Sequence, residues 1–211
     1  MNLITKDAAI AALRFNADEF KPETPQFLGA IFTNIAKRYS FLKLPDINTL
    51  DTGGRKFQHG KNPTTGAEIK ELQLFSDAVG VTATDTHEAE ALVHDVIKFM
   101  QSEMGFRTIT TTPVLMLQSD VIVEFDNDPT KAFARFAPLI DFLRSQSGNA
   151  NYDVGRWDFG AETKEDQPPR QFIIERRAGA AWALKRFFCK ANMHSDQHLQ
   201  ALELVDRLLA G

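Results

Sequence analysis

Four times along the chain an apolar run of extended character gives way to a short polar stretch of Thr, Ser, Asp or Pro, and then to apolar residues at helical spacing. The best-formed copy runs through residues 121–125, then Asp126-Asn127-Asp128-Pro129, then a helix carrying Phe133, Phe136, Ile140 and Leu143. Pro129 suits a first helical position, where its missing N–H has no partner to lose, so Asp128 is expected to cap that helix. Pro138 lies farther in and predicts a kink near the preceding turn.

The first copy is ambiguous, because residues 8–15 are Ala-rich and read equally as a strand or a short helix. Thr24 and Pro25 then predict a cap and a helix start, and the helix to Tyr39 carries Phe27, Leu28, Ile31, Phe32, Ile35 and Ala36. That face is wider than one core stripe needs. It marks Phe27, Ile31, Phe32 and Ile35 as a candidate contact surface.

Residues 68–75 alternate polar with apolar and residues 78–83 resume extended character, which together predict a hairpin. Asp85 and Glu88 stand three apart, as in a capping box, before Ala91, Leu92, Val96, Phe99 and Met100, and Gly105 ends that helix. Residues 114–125 read as a further strand in which Asp120 marks a break or bulge. Residues 172–175 and 181–188 flank Ala178-Gly179-Ala180 as a second hairpin, after which Ser195 and Asp196 are expected to cap a last helix with Leu199, Leu202, Val205 and Leu209. Hairpins joined by single helices, with half-polar strands, predict one α+β domain over residues 1–211. Its sheet is expected to be largely antiparallel, with about four amphipathic helices packed mainly on one face.

Composition narrows the function classes. With 211 residues, 43% of them hydrophobic, the chain can bury a sizeable core, and its net charge of -4 excludes a globally basic surface. The single cysteine, Cys189, asks for no oxidising compartment. The first residues lack a basic, then long apolar, leader, and no run approaches the ~18 apolar residues of a membrane span. A cytoplasmic location without membrane contact is expected. Seventeen Phe against 2 Trp and 2 Tyr place most aromatic content in the core.

Three groups of residues could carry chemistry. Cys189, His194 and His198 have the donor types of a zinc site, with the two histidines four apart, although no local residue completes four ligands. Arg176, Arg177, Lys185 and Arg186 lie in a basic hairpin over residues 170–190 that could contact phosphates or nucleic acid beside Trp157 or Trp182, although strand periodicity sends neighbours to opposite faces. Residues 45–66 and 145–167 are long, Gly-rich segments, and a pocket between them would be lined by His59, Arg156, Trp157 and Asp158. Gly54 to Lys61 fails as a phosphate loop: five residues separate its glycines, and Asn62 stands where a hydroxyl should hold magnesium. No nucleophile elbow, His-Glu-x-x-His pair or dinucleotide glycine turn occurs.

The expectation is therefore a cytosolic, non-enzymatic binding or assembly protein that needs no cofactor and acts on a protein partner or on itself. The alternatives are a small-molecule binder or enzyme using the two-segment pocket, and nucleic-acid contact through the basic hairpin.

Overall fold

The ambiguous first apolar run is a strand, and it occupies the middle of the sheet. β1 (Asn2–Arg14) pairs on one side with β4 (Ala78–Ala83) and on the other with β5 (Val114–Glu124). The computed structural model describes residues 1–25, 27–46, 54–146, 154–161, 170–177, 179 and 184–210. Across the sheet the order is β2 (Arg55–Lys61), β3 (Glu68–Leu74), β4, β1, β5, β8 (Arg186–Ala191), β7 (Gln171–Arg176) and β6 (Arg156–Gly160). Every ladder is antiparallel. With α1 (Leu28–Tyr39), α2 (Thr86–Met104), α3 (Ala137–Gln146) and α4 (Ser195–Ala210), the fold is α+β.

The chain order is one unit used twice. A long strand, a helix, three meandering strands and a second helix make up β1-α1-β2-β3-β4-α2, and the same succession returns as β5-α3-β6-β7-β8-α4. The register fixes which residues correspond. Ala9 of β1 faces Ser119 of β5 at the centre, and these residues pair outward with Ala83 of β4 and Ala191 of β8. One step past the strands, Phe15 donates its N–H to the Asp77 carbonyl and Phe125 donates to that of Lys185, at 2.8 and 3.2 Å.

Each half has its own core. In the first, Ala11 and Leu13 of β1, Phe57, Leu72, Val79 and Val81 meet α1 through Ile31, Phe32, Ile35 and Tyr39, and meet α2 through Leu92, Val93, Val96 and Met100. In the second, Val121, Val123, Phe125, Ile174, Phe187 and Cys189 meet Leu202 of α4. Residues at one face of the strands are thereby removed from water, the dominant favourable term in folding.

Several details depart from the sequence expectations. α1 opens at Leu28 after an extended Phe27 that makes no side-chain cap bond, so Thr24 is not its cap. The reason lies upstream: Pro22 bridges to Phe106, and Glu23 donates to the Gly105 carbonyl, which ties this stretch to the end of α2. The irregularity expected at Asp120 sits in its partner instead. The register shifts between Leu3 and Thr5 and between Lys6 and Ala8 of β1, while Asp120 pairs regularly with Lys190. β2 runs from Arg55 to Lys61 inside the Gly-rich segment 45–66, because Phe57 is fully buried and Gly60 admits the Phe41 ring, which a Cβ would approach to 2.5 Å. The break before Pro138 is real. A 3-10 helix over Pro129–Phe136 loses helical geometry at Phe133, and α3 begins at Ala137. Asp85 caps α2 by accepting from the Glu88 N–H, and Gly105 ends it in the left-handed conformation, as expected. β8 starts at Arg186, later than residue 181, and residues 180–183, Trp182 among them, lie outside the described residues. Ser195 is the first residue of α4 and turns its hydroxyl to Thr86 of α2.

Candidate functional site

The corresponding helices α2 and α4 meet start to start. Thr86 opens α2 and Ser195 opens α4, and each backbone N–H donates to the other's hydroxyl, at 3.3 Å for Thr86 and 2.8 Å for Ser195. Both residues are buried. The first N–H groups of a helix have no partner within it, so this exchange satisfies two of them at once. One residue on, His87 Nε2 lies 3.1 Å from Asp196 Oδ1. His87 also stacks on His194, with ring centroids 4.0 Å apart and planes 7° from parallel.

His194 is held from both sides. Its Nδ1 is 3.3 Å from Thr86 Oγ1, and its Nε2 is 3.6 Å from Glu90 Oε2. His87, Glu90 and His194 bring one donor atom each within 4.8 Å of one another. Two imidazoles and a carboxylate, contributed by α2 and by the residue just before α4, can share a divalent cation. Sequence reasoning passed over His87 and Glu90, which lie inside the capping segment of α2. The missing signal was the separation of 109 residues between Thr86 and Ser195, repeated between His87 and Asp196, which the doubled unit converts into contact.

The sequence-predicted zinc ligands do not gather. Among the described residues the group able to hold a metal contains His194 but neither Cys189 nor His198. Cys189 is fully buried in β8, and burial pushes its thiol well above the ordinary range. His198 is also fully buried, with Nδ1 3.1 Å from Ser119 Oγ and no hydrogen-bond partner at Nε2 among the described residues. Burial pushes its pKa down to about 4, so the ring is neutral at physiological pH.

The two-segment pocket does not form among the described residues. β2, which carries His59, and β6, which carries Arg156, Trp157 and Asp158, are the two edge strands of the sheet. Seven strand spacings at ~4.8 Å separate such edges by roughly 34 Å along the sheet. Trp157 instead packs edge-on against Phe133, with centroids 5.0 Å apart, and Arg156 pairs with Asp158. A cleft does exist beside α1, about 690 Å³ in volume, walled by Phe20, Leu28, Phe32, Phe75, Val79 and Phe106. It takes Gly54 and Arg55 from the first long segment and nothing from the second.

Three cations of the basic hairpin have partners among the described residues. Arg186 pairs with Glu124 at 2.9 Å, Lys185 donates to the Asp126 carbonyl, and the Arg176 guanidinium lies 5.2 Å from the Phe187 ring centre. Arg177 continues the ladder by donating its N–H to the Arg186 carbonyl.

The expected contact surface on α1 is mostly core. Ile31, Phe32 and Ile35 are buried against the sheet, so the apolar excess of that helix reduces to Phe27, which is 74% exposed, and its neighbour Leu28. The wide face is explained by two neighbours, since α1 packs between β2 and α2. Larger exposed apolar groups occur in the second half, where α3 has no buried residue and Phe136, Leu139, Phe142 and Phe159 are exposed. No helix among the described residues is long and apolar enough to cross a membrane. A comparison with known protein families and with curated proteins finds no match to this chain.

Proposed function

We propose that the protein is a non-enzymatic binding or assembly protein that works through protein–protein contacts, with the outer helix of the second half as its contact surface. The observation that carries this reading is α3. It stands where α1 stands in the first half, yet it buries no residue and leaves Leu139 and Phe142 more than half exposed. Phe136 before it and Phe159 on the edge strand β6 add further exposed rings. Exposed apolar groups gathered in one part of a soluble surface mark contact sites, because covering them releases the free energy of their hydration.

Light scattering after size-exclusion chromatography tests the reading, alongside affinity isolation from cells with wild type and Phe142→Glu compared. A concentration-dependent rise in mass, or a partner held by wild type, that disappears in Phe142→Glu is the expected result. A monomer at every concentration, with no partner that distinguishes the two proteins, contradicts it.

The cleft beside α1 supports a second reading, a small apolar ligand. Its volume is within the usual range of ligand sites and its walls are aromatic and aliphatic. Displacement of a fluorescent apolar probe, weakened by Val79→Phe, is the expected behaviour of such a site.

A further inference from the structure

We propose that His87, Glu90 and His194 form a binding site for a divalent transition-metal ion of the zinc type, which ties the two halves together at the meeting point of α2 and α4. This site is independent of the contact surface on α3.

The ligand set comes first. Two imidazole nitrogens and one carboxylate oxygen lie within 4.8 Å of one another, so they need to close in only slightly to reach the ~4.4 Å that is the widest separation one ion at ~2.2 Å from each donor can bridge. Nitrogen donors select zinc, nickel or cobalt over magnesium and calcium, which take oxygen shells. The supporting bonds are also present. Thr86 Oγ1 sits 3.3 Å from His194 Nδ1, which leaves Nε2, the nitrogen facing Glu90, as the coordinating atom. Such outer bonds fix the tautomer and the ring direction of metal-binding histidines. Asp196, 3.1 Å from His87 Nε2, adds a second negative charge at the site. Glu90 and Asp196 together oppose the positive ends of the two helices, which on their own disfavour a cation.

One ring must move for the ion to enter. A metal lies in the plane of each imidazole that binds it, and two rings stacked 7° from parallel with centroids 4.0 Å apart cannot both aim a nitrogen at one ion. His194 is fixed by Thr86, and its side chain is 22% exposed. The His87 side chain is 60% exposed, so it is the ring that turns, giving up its stack and its bond to Asp196. The open side of His87 leaves the remaining coordination positions to water or to an added ligand.

Zinc titration of the full chain by calorimetry, with visible absorption of bound cobalt as a second readout, tests the proposal. One ion per chain is expected, with a rise in melting temperature on zinc and none on magnesium or calcium. His87→Ala, His194→Ala and Glu90→Gln are each expected to weaken zinc at least tenfold, and His59→Ala, an exposed histidine on the edge strand β2, is expected to leave it unchanged. Because His87 is exposed, its replacement keeps the test meaningful even if the His194 variant folds poorly. Histidine ring signals in NMR should shift at His87 and His194 and not at His59, His94 or His198. Absence of saturable binding at millimolar zinc, retention of affinity in His87→Ala, or equal stabilisation by magnesium overturns the site.

Discussion

In the first half of the molecule α1 lays Ile31, Phe32, Ile35 and Tyr39 into the core, and its end is tied to α2. Arg38 reaches both carboxylate oxygens of Asp95 at 3.0 and 3.2 Å, and Tyr39 donates its hydroxyl to the same group at 2.7 Å. In the second half α3 follows the corresponding strand but buries nothing, and its Arg144–Asp141 pair lies within the helix itself. The difference starts in the strands each helix meets. β2 and β3 offer Phe57 and Leu72 to α1, whereas the place beside Trp157 of β6 is taken by Phe133 of the 3-10 helix. Position in a topological unit therefore does not decide whether a helix belongs to the core; the side chains that receive it do.

The inner helices show a second contrast. Ala9 and Ala89 in the first half correspond to Ser119 and His198 in the second, each helix residue being three past the start of its helix. Two buried alanines are thus replaced by a buried hydroxyl–imidazole bond, which leaves one nitrogen without a partner among the described residues. Burying such a group costs free energy that the alanines never incur.

The largest expected effect separates the two outer helices. Ile35→Ala, at a fully buried position, should cost about 2–5 kcal/mol in denaturant unfolding, whereas Phe142→Ser on α3 should stay within about 0.5 kcal/mol. Equal costs would mean that α3 is packed as α1 is.

Acid separates the inner helices. The pKa of His198 is lowered to about 4 from 6.5, so below pH 6.5 the unfolded chain takes up a proton that the folded chain refuses. Stability contributed by the neutral ring is fully present above pH 6.5 and is lost as pH falls toward 4, by up to about 3 kcal/mol. Asp120, whose carboxyl burial pushes up, acts in the opposite sense. The difference between wild type and His198→Leu across that window isolates the histidine, and parallel curves would contradict its role.

The junction itself should respond less. Thr86→Val removes the hydroxyl that accepts from Ser195 N–H and should cost about 1–3 kcal/mol, read by thermal or chemical unfolding. Asp85→Ala removes only the cap bond to Glu88 and should cost about 1 kcal/mol. A Thr86 effect no larger than the cap's would mean that the two helix starts are not coupled.

Much of the scaffold could be read from local chemistry. The cap at Asp85, the stop at Gly105, the hairpin of β3 and β4 and the break before Pro138 each follow from a few neighbouring residues, and each is present. Features set by distant partners were not legible. Thr24 has the makings of a cap, but Pro22 and Glu23 are held by the end of α2. Ile31, Phe32 and Ile35 look like surplus until β2 is known to cover them. The candidate site was half visible: His194 was singled out, but its neighbours His87 and Glu90 belong to the other half and reach it only through the doubled topology.

Hydrogen–deuterium exchange, followed for α1 and α3 at rising protein concentration and with any isolated partner, separates a core helix from a contact helix. Strong protection of α1 throughout is expected, with weak protection of α3 in the monomer that rises on association. Protection of α3 equal to that of α1 in the isolated monomer, or association that leaves α3 unchanged, would contradict it.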